Sequence, residues 1–228
     1  MPYDWSGTQI LQVNTSLPDK RRVLGHADTL VLTDLREWVA AGDREEIRSV
    51  IKQLELPTDR KSGTFDLRAK KIWRFVASEI EYVLDPESQK KLDFWQFPAE
   101  TLALKQGDCE DTSFLLAALL LAGGVSPFCF RVVFGWLKST DNNPSERHAW
   151  VLYKDEAGVW RILESTLDST SIPKRLPDAN MLARPGSRPL YKPDICLNNF
   201  HVWQIRAIPQ KDVAKFVKAY GQESRKNK

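Results

Sequence analysis

The chain has 228 residues, 42% hydrophobic and 28% charged, with a formal net charge of +3. That length suits one ordinary domain with extensions, and that balance excludes a disordered or membrane-embedded chain. Such a small charge, spread out apart from Lys20-Arg21-Arg22 and a basic tail, argues against nucleic-acid binding, which gathers Lys and Arg into one patch.

In chain order, Met1-Pro2-Tyr3-Asp4-Trp5-Ser6 has no basic segment followed by an apolar one, so no secretion leader is expected. Residues 1–30 show no strong period. Thr33 can cap a helix over Asp34–Ala41, which Gly42 breaks; Asp43 with Glu46 then opens a helix over Arg44–Leu54. There Ile47, Val50, Ile51 and Leu54 fall on one face. These elements make residues 1–64 an N-terminal helical extension, ahead of a main domain over residues 65–210. Pro57–Gly63 is a polar connector, and Leu67, Ile72, Phe75, Val76 and Ile80 mark a stronger amphipathic helix ending near Asp85-Pro86.

Lys91–Lys105 reads as a loop and then a short helix with Pro98 in its first turn. Gly107-Asp108-Cys109-Glu110-Asp111 precedes the apolar run Phe114–Leu121, the pattern of a buried helix starting at an acidic cluster. Gly123-Gly124 ends that run well short of the ~18 residues that span a bilayer, so no membrane partner is expected. Strands are predicted over Phe128–Leu137, His148–Tyr153 and Val159–Glu164. Residues 171–198 carry Pro173, Pro177, Pro185, Pro189 and Pro193 and read as irregular loop. Phe200–Ala207 reads as a further strand, and residues 211–228 as a basic helix and tail. Helices first and strands afterwards predict an α+β domain with an antiparallel sheet.

Three residues hold the parts of an activated nucleophile: Cys109, His148 and Glu164. A thiol at a helix N-terminus lies in a field that favours thiolate, although Asp108 and Glu110 oppose it. The turn-prone Lys154–Gly158 joins the strands of His148 and Glu164. A hairpin centred on Glu156 opposes His148 to Glu164, Trp150 to Ile162 and Leu152 to Trp160, all on one face. Directly opposed side chains have Cβ atoms about 5 Å apart, within reach of an imidazole–carboxylate bond. Asp168, the rival acid, would fall beyond the strand. In these roles Cys109 attacks a carbonyl, His148 moves the proton and Glu164 holds the ring. The Cys109 N–H is one oxyanion donor, and Gln96 or the Trp95 indole could supply a second.

Three widely spaced cysteines without a CxxC motif cannot all pair, which points to a reduced, cytoplasmic protein. Cys129 and Cys196 read as small core residues, and His26 and His201 as structural. The acids beside Cys109 suit the helix N-terminus, and no cofactor is called for by the residues themselves.

Four motifs in order resemble the transglutaminase-like superfamily of papain-related folds, nearest to the bacterial transglutaminase-like cysteine proteinases. They are Trp95-Gln96-Phe97-Pro98-Ala99-Glu100-Thr101-Leu102, Gly107-Asp108-Cys109-Glu110-Asp111, His148-Ala149-Trp150-Val151 and Trp160-Arg161-Ile162-Leu163-Glu164-Ser165-Thr166. The resemblance covers about residues 65–170. It implies a Cys-bearing helix packed on an antiparallel sheet, with Cys109 as nucleophile, His148 as base and Glu164 where Asp is usual. It also implies a thiol hydrolase acting on a protein or peptide, with transamidation or a silent peptide-binding scaffold as alternatives. Some relatives bind calcium through the acids flanking the cysteine, which here are Asp108 and Glu110.

Overall fold

The computed structural model describes residues 8–13, 21–23, 30–32, 34–40, 44–59, 61–88, 94–138, 146–167 and 190–207. In chain order the elements are β1 (Thr8–Val13), β2 (Arg21–Val23), β3 (Leu30–Leu32), α1 (Arg36–Ala40), α2 (Glu45–Gln53) and α3 (Thr64–Glu79). Then come β4 (Glu81–Tyr82), α4 (Asp85–Ser88), α5 (Pro98–Leu104), β5 (Gln106–Gly107) and α6 (Cys109–Ala122). The chain continues through β6 (Phe130–Lys138), β7 (Glu146–Lys154), β8 (Trp160–Leu163), β9 (Leu190–Leu197) and β10 (Val202–Ala207).

The apolar run after Cys109 sets the architecture. Every residue from Asp111 to Leu120 in α6 is buried. A helix with no polar face must be enclosed on all sides. Four helices (α1, α2, α3 and α5) pack on α6, and β6 and β7 close it from the other direction. Their contact forms one core that includes Trp38, Ile47, Ile72, Trp73, Phe114, Leu119, Phe130 and Val151.

The sheet has six strands in the order β1-β10-β9-β6-β7-β8, and each neighbouring pair is antiparallel. The architecture is α+β, as the sequence predicts. Side chains alternate along each strand, so the face away from α6 carries a second cluster. Val133, Trp150, Leu152, Trp160, Ile162, Cys196 and Ile205 form it, with Tyr191 and Trp203 packed alongside. The Arg131 guanidinium lies 4.0 Å from the Trp203 ring centre, which lets a buried cation face a π-system.

Two expectations need correction. Residues 190–197 are not irregular loop but a strand between β6 and β10. Proline in a strand interior removes a ladder hydrogen bond, and Pro193 is accommodated because the β6–β9 register shifts there. Phe134 pairs with Ile195 but Gly135 pairs with Pro193, which leaves Asp194 as an extra residue. Gly135 is required at this bulge, since a Cβ on it would lie 2.1 Å from the Lys192 carbonyl oxygen. The N-terminal segment contains the helices expected of it, but also strands. Of these, β1 pairs with β10 at the edge of the main sheet, while β2 and β3 pair with each other. The predicted helix over residues 211–220 and the capping roles of Thr33 and Asp43 lie outside the described residues.

Candidate active site

Cys109 is the first residue of α6, and Asp108 is its N-cap. The chain enters tightly: a Cβ on Gly107 would stand 2.7 Å from Asp111 Cβ. Asp111 serves the helix terminus, accepting from the Asp108 N–H at 3.4 Å and from the Gln96 N–H at 2.7 Å. The sulfur of Cys109 sits beside β7, near the backbone N–H of Ala149, and the thiol donates to Glu110 Oε2 at 3.1 Å. Burial raises the thiol pKa first, and the charges of Glu110 and Asp108 raise it further. Burial and the two acids therefore outweigh the helix field in this geometry. Among the described residues no hydrogen bond joins Cys109 to His148.

The His148–Glu164 pair does form. His148 Nε2 lies 2.9 Å from Glu164 Oε2, and both side chains are almost wholly buried. The route differs from the expected one. Leu152 faces Ile162 rather than Trp160, a register shifted by two positions. The cause is the turn: Asp155 N–H donates to the Val159 carbonyl at 2.9 Å, leaving the loop Glu156-Ala157-Gly158 with Gly158 left-handed at φ 81°. A left-handed glycine closing a three-residue hairpin loop is a favoured solution. A shift by two keeps side chains on their original faces. His148 and Glu164 thus meet as diagonal neighbours instead of opposed ones, a span that the longer Glu side chain can bridge.

The Glu164 carboxylate is fully engaged. Oε2 also accepts from the Tyr191 hydroxyl at 2.8 Å, while Oε1 accepts from the Thr166 hydroxyl at 2.8 Å and its N–H at 3.2 Å. The Glu164 backbone is pinned as well, its carbonyl taking the Trp73 indole N–H at 2.8 Å. Burial by itself would raise the Glu164 pKa, but the hydrogen bond and charge of His148, with the two hydroxyls, hold it below the usual value. Burial likewise disfavours charged His148, yet Glu164 outweighs it and the imidazole pKa rises. Each partner therefore favours the charged form of the other.

Gln96 is completely buried, and among the described residues neither atom of its side-chain amide has a hydrogen-bond partner. Its backbone is fixed at both ends: the N–H on Asp111, and the carbonyl accepting the Trp38 indole N–H at 3.0 Å. Trp95 lies in the core instead, stacked on Phe134 with ring centres 5.0 Å apart.

The acids form two overlapping groups. Ligand atoms of Asp108, Cys109 and Glu110 lie within 4.8 Å of one another, as do those of Asp85, Asp108 and Asp111. Burial, then repulsion from a neighbouring acid, pushes Asp111 up to about 8 and raises Asp108, while burial raises Glu110 against the hydrogen bonds of Asp108 and Cys109. Asp108 Oδ1 is buried without a hydrogen-bond partner among the described residues. Buried carboxylate oxygens at this density are the hard donors that calcium takes, so the residues fit that ion. Sequence reasoning missed Asp85, which carries no signal beyond ending a helix, and Tyr191, hidden in the proline-rich segment. Asp168, the rival acid, lies outside the described residues.

No helix of the described residues is long and apolar enough to cross a membrane. A search of curated proteins finds no match. Among solved structures the chain is similar to Legionella pneumophila LapG at 22% identity, covering 75% of this chain and 85% of that one with a TM-score of 0.48. The calcium-bound form of LapG is similar at 23% identity, covering 75% of this chain and 86% of that one, also with a TM-score of 0.48. The sequence profile described as the transglutaminase-like superfamily matches residues 52–165, from within α2 to the residue after Glu164. That match spans half of the chain, and the protein belongs to the transglutaminase-like superfamily.

Proposed function

We propose that this protein is a cysteine hydrolase that cleaves an amide or isopeptide bond in a protein or peptide through a Cys109 acyl-enzyme. The observation that carries the reading is the buried contact of Glu164 with His148, on the strand that also lies beside the sulfur. With Nε2 committed to Glu164, Nδ1 is the ring atom left for the thiol. With His148 in its neutral form, the sulfur turns from Glu110 to the ring, passes its proton to Nδ1 and attacks the carbonyl carbon. The C–N bond breaks as the imidazolium protonates the leaving amine, and water activated by the same ring then releases the acid. The Cys109 N–H and the Gln96 amide are suited to receive the developing oxyanion. Gln96 is preferred to Trp95 because its buried amide is unengaged among the described residues. Three thiols outside any disulfide support a reducing, cytoplasmic setting.

The test is alkylation by iodoacetamide, followed by mass spectrometry of the Cys109 peptide, with half-buried Cys129 as the internal reference thiol. At pH 7, Cys109 in the wild-type protein is expected to react at least ~10-fold faster than in His148→Ala. Equal rates would mean a silent scaffold. If peptide products incorporate an added primary amine, the acyl group passes to amines and the enzyme is a transamidase.

Asp108 and Glu110, backed by Asp85 and Asp111, are the residues that would hold calcium. Calcium there would offset the negative charge that, after burial, raises the thiol pKa. Calcium is expected to raise the midpoint of thermal unfolding over that in a chelator, and Asp108→Asn to abolish most of the difference. The same midpoint in calcium and chelator would remove the ion from the reading.

A further inference from the structure

Tyr191 lies in β9, beyond the residues that the family profile matches. Its hydroxyl donates at 2.8 Å to Glu164 Oε2, the same oxygen that meets His148 Nε2 at 2.9 Å. Its ring centre is 6.2 Å from that of His148 and 5.0 Å from that of Trp150. One side chain therefore touches the acid through its oxygen and flanks the base with its ring.

The placement depends on the bulge. Cys196 and Tyr191 are an odd number of residues apart, so in a regular strand they would point to opposite faces of the sheet. The extra residue Asp194 reverses the alternation, and both pack on the face that carries His148 and Trp150. Gly135, with no Cβ, lets the bulged backbone come close enough.

Glu has one more rotatable bond than Asp, so its carboxylate needs restraint on both oxygens to aim an imidazole. Thr166 restrains Oε1. We propose that Tyr191 is a positioning residue for catalysis, its hydroxyl fixing the Glu164 carboxylate in the orientation that aims His148 at Cys109. This rests on the acyl-enzyme reading above, and the test separates the two.

The groups facing His148 are Glu164 after β8, Tyr191 on β9, Glu146 and Trp150 on β7, and Asp108 at the cap of α6. Tyr191→Phe removes only the hydroxyl and keeps the ring. Oε2 then belongs wholly to the imidazolium, so the His148 titration midpoint, followed by NMR, should rise by about half a pH unit. Iodoacetamide labelling of Cys109 at pH 7 should slow about fivefold as the carboxylate loses one restraint. In a Glu164→Gln background, Tyr191→Phe should leave the His148 midpoint where it is, because the hydroxyl acts through the carboxylate.

A wild-type midpoint or a wild-type labelling rate in Tyr191→Phe would overturn the proposal. So would loss of the folded protein, since a hydroxyl that only positions leaves the fold intact. If wild-type labelling itself ignores His148, the acyl-enzyme reading falls, and the NMR midpoint still reports whether Tyr191 holds the pair.

Discussion

Glu164→Ala is expected to destabilise the protein by about 3–5 kcal/mol and to remove the His148-dependent reactivity of Cys109. The change leaves the imidazole, the Tyr191 hydroxyl and the Thr166 hydroxyl without their common acceptor at a largely buried position. Truncating one partner of a buried pair is costly because the survivor keeps its desolvation penalty and loses its compensation. Urea unfolding measures the stability and iodoacetamide labelling the reactivity. The loss should depend on pH in a defined way. Glu164 is lowered from 4.5, so its contribution is complete above that value and fades as pH falls through the lowered one. His148 is raised from 6.5, so its contribution is complete below that value and fades as pH rises through the raised one. The gap between wild type and variant is therefore widest between pH 4.5 and 6.5. A gap that is flat across pH would show that cavity formation, not the ion pair, carries the effect.

Trp38→Ala should cost about as much, 3–5 kcal/mol for a large ring removed from a packed core. Trp38 is fully buried in α1, stacked on Phe97 at 4.5 Å and in contact with the rings of Trp95 and Phe114. Its indole N–H also holds the Gln96 carbonyl, so the variant loosens the segment that carries the candidate oxyanion donor. Cys109 labelling should fall along with the midpoint of urea unfolding. A change below about 1 kcal/mol would mean that the N-terminal segment does not share the core on which the site is built.

Where the signal is local, the sequence is a faithful guide. Pro98 opens α5 at its first turn, because its missing N–H and fixed φ suit only that position. The acids and apolar run start α6 at Cys109 itself. The pairing of His148 with Glu164 was legible because alternation is conserved under a shift of two, even though the turn centre was misplaced. The thiol was harder to read. Its position at a helix N-terminus argued for thiolate, but desolvation and two adjacent acids are properties of the packed site, and they outweigh the helix field.

By itself the sequence determined the helices α1, α2, α3, α5 and α6, the strands β6, β7, β8 and β10, and which residues carry sulfur, imidazole and carboxylate. Those follow from periodicity and from side-chain chemistry, both short-range. Only the tertiary structure decided that a proline-bearing segment becomes β9, that β1 closes the sheet edge, and that Trp38 reaches Gln96. Each of these depends on a partner distant in the chain, and no local pattern encodes which partner will supply the hydrogen bond. Tyr191 is the sharpest case, since one extra residue opposite Gly135 turns its hydroxyl onto Glu164.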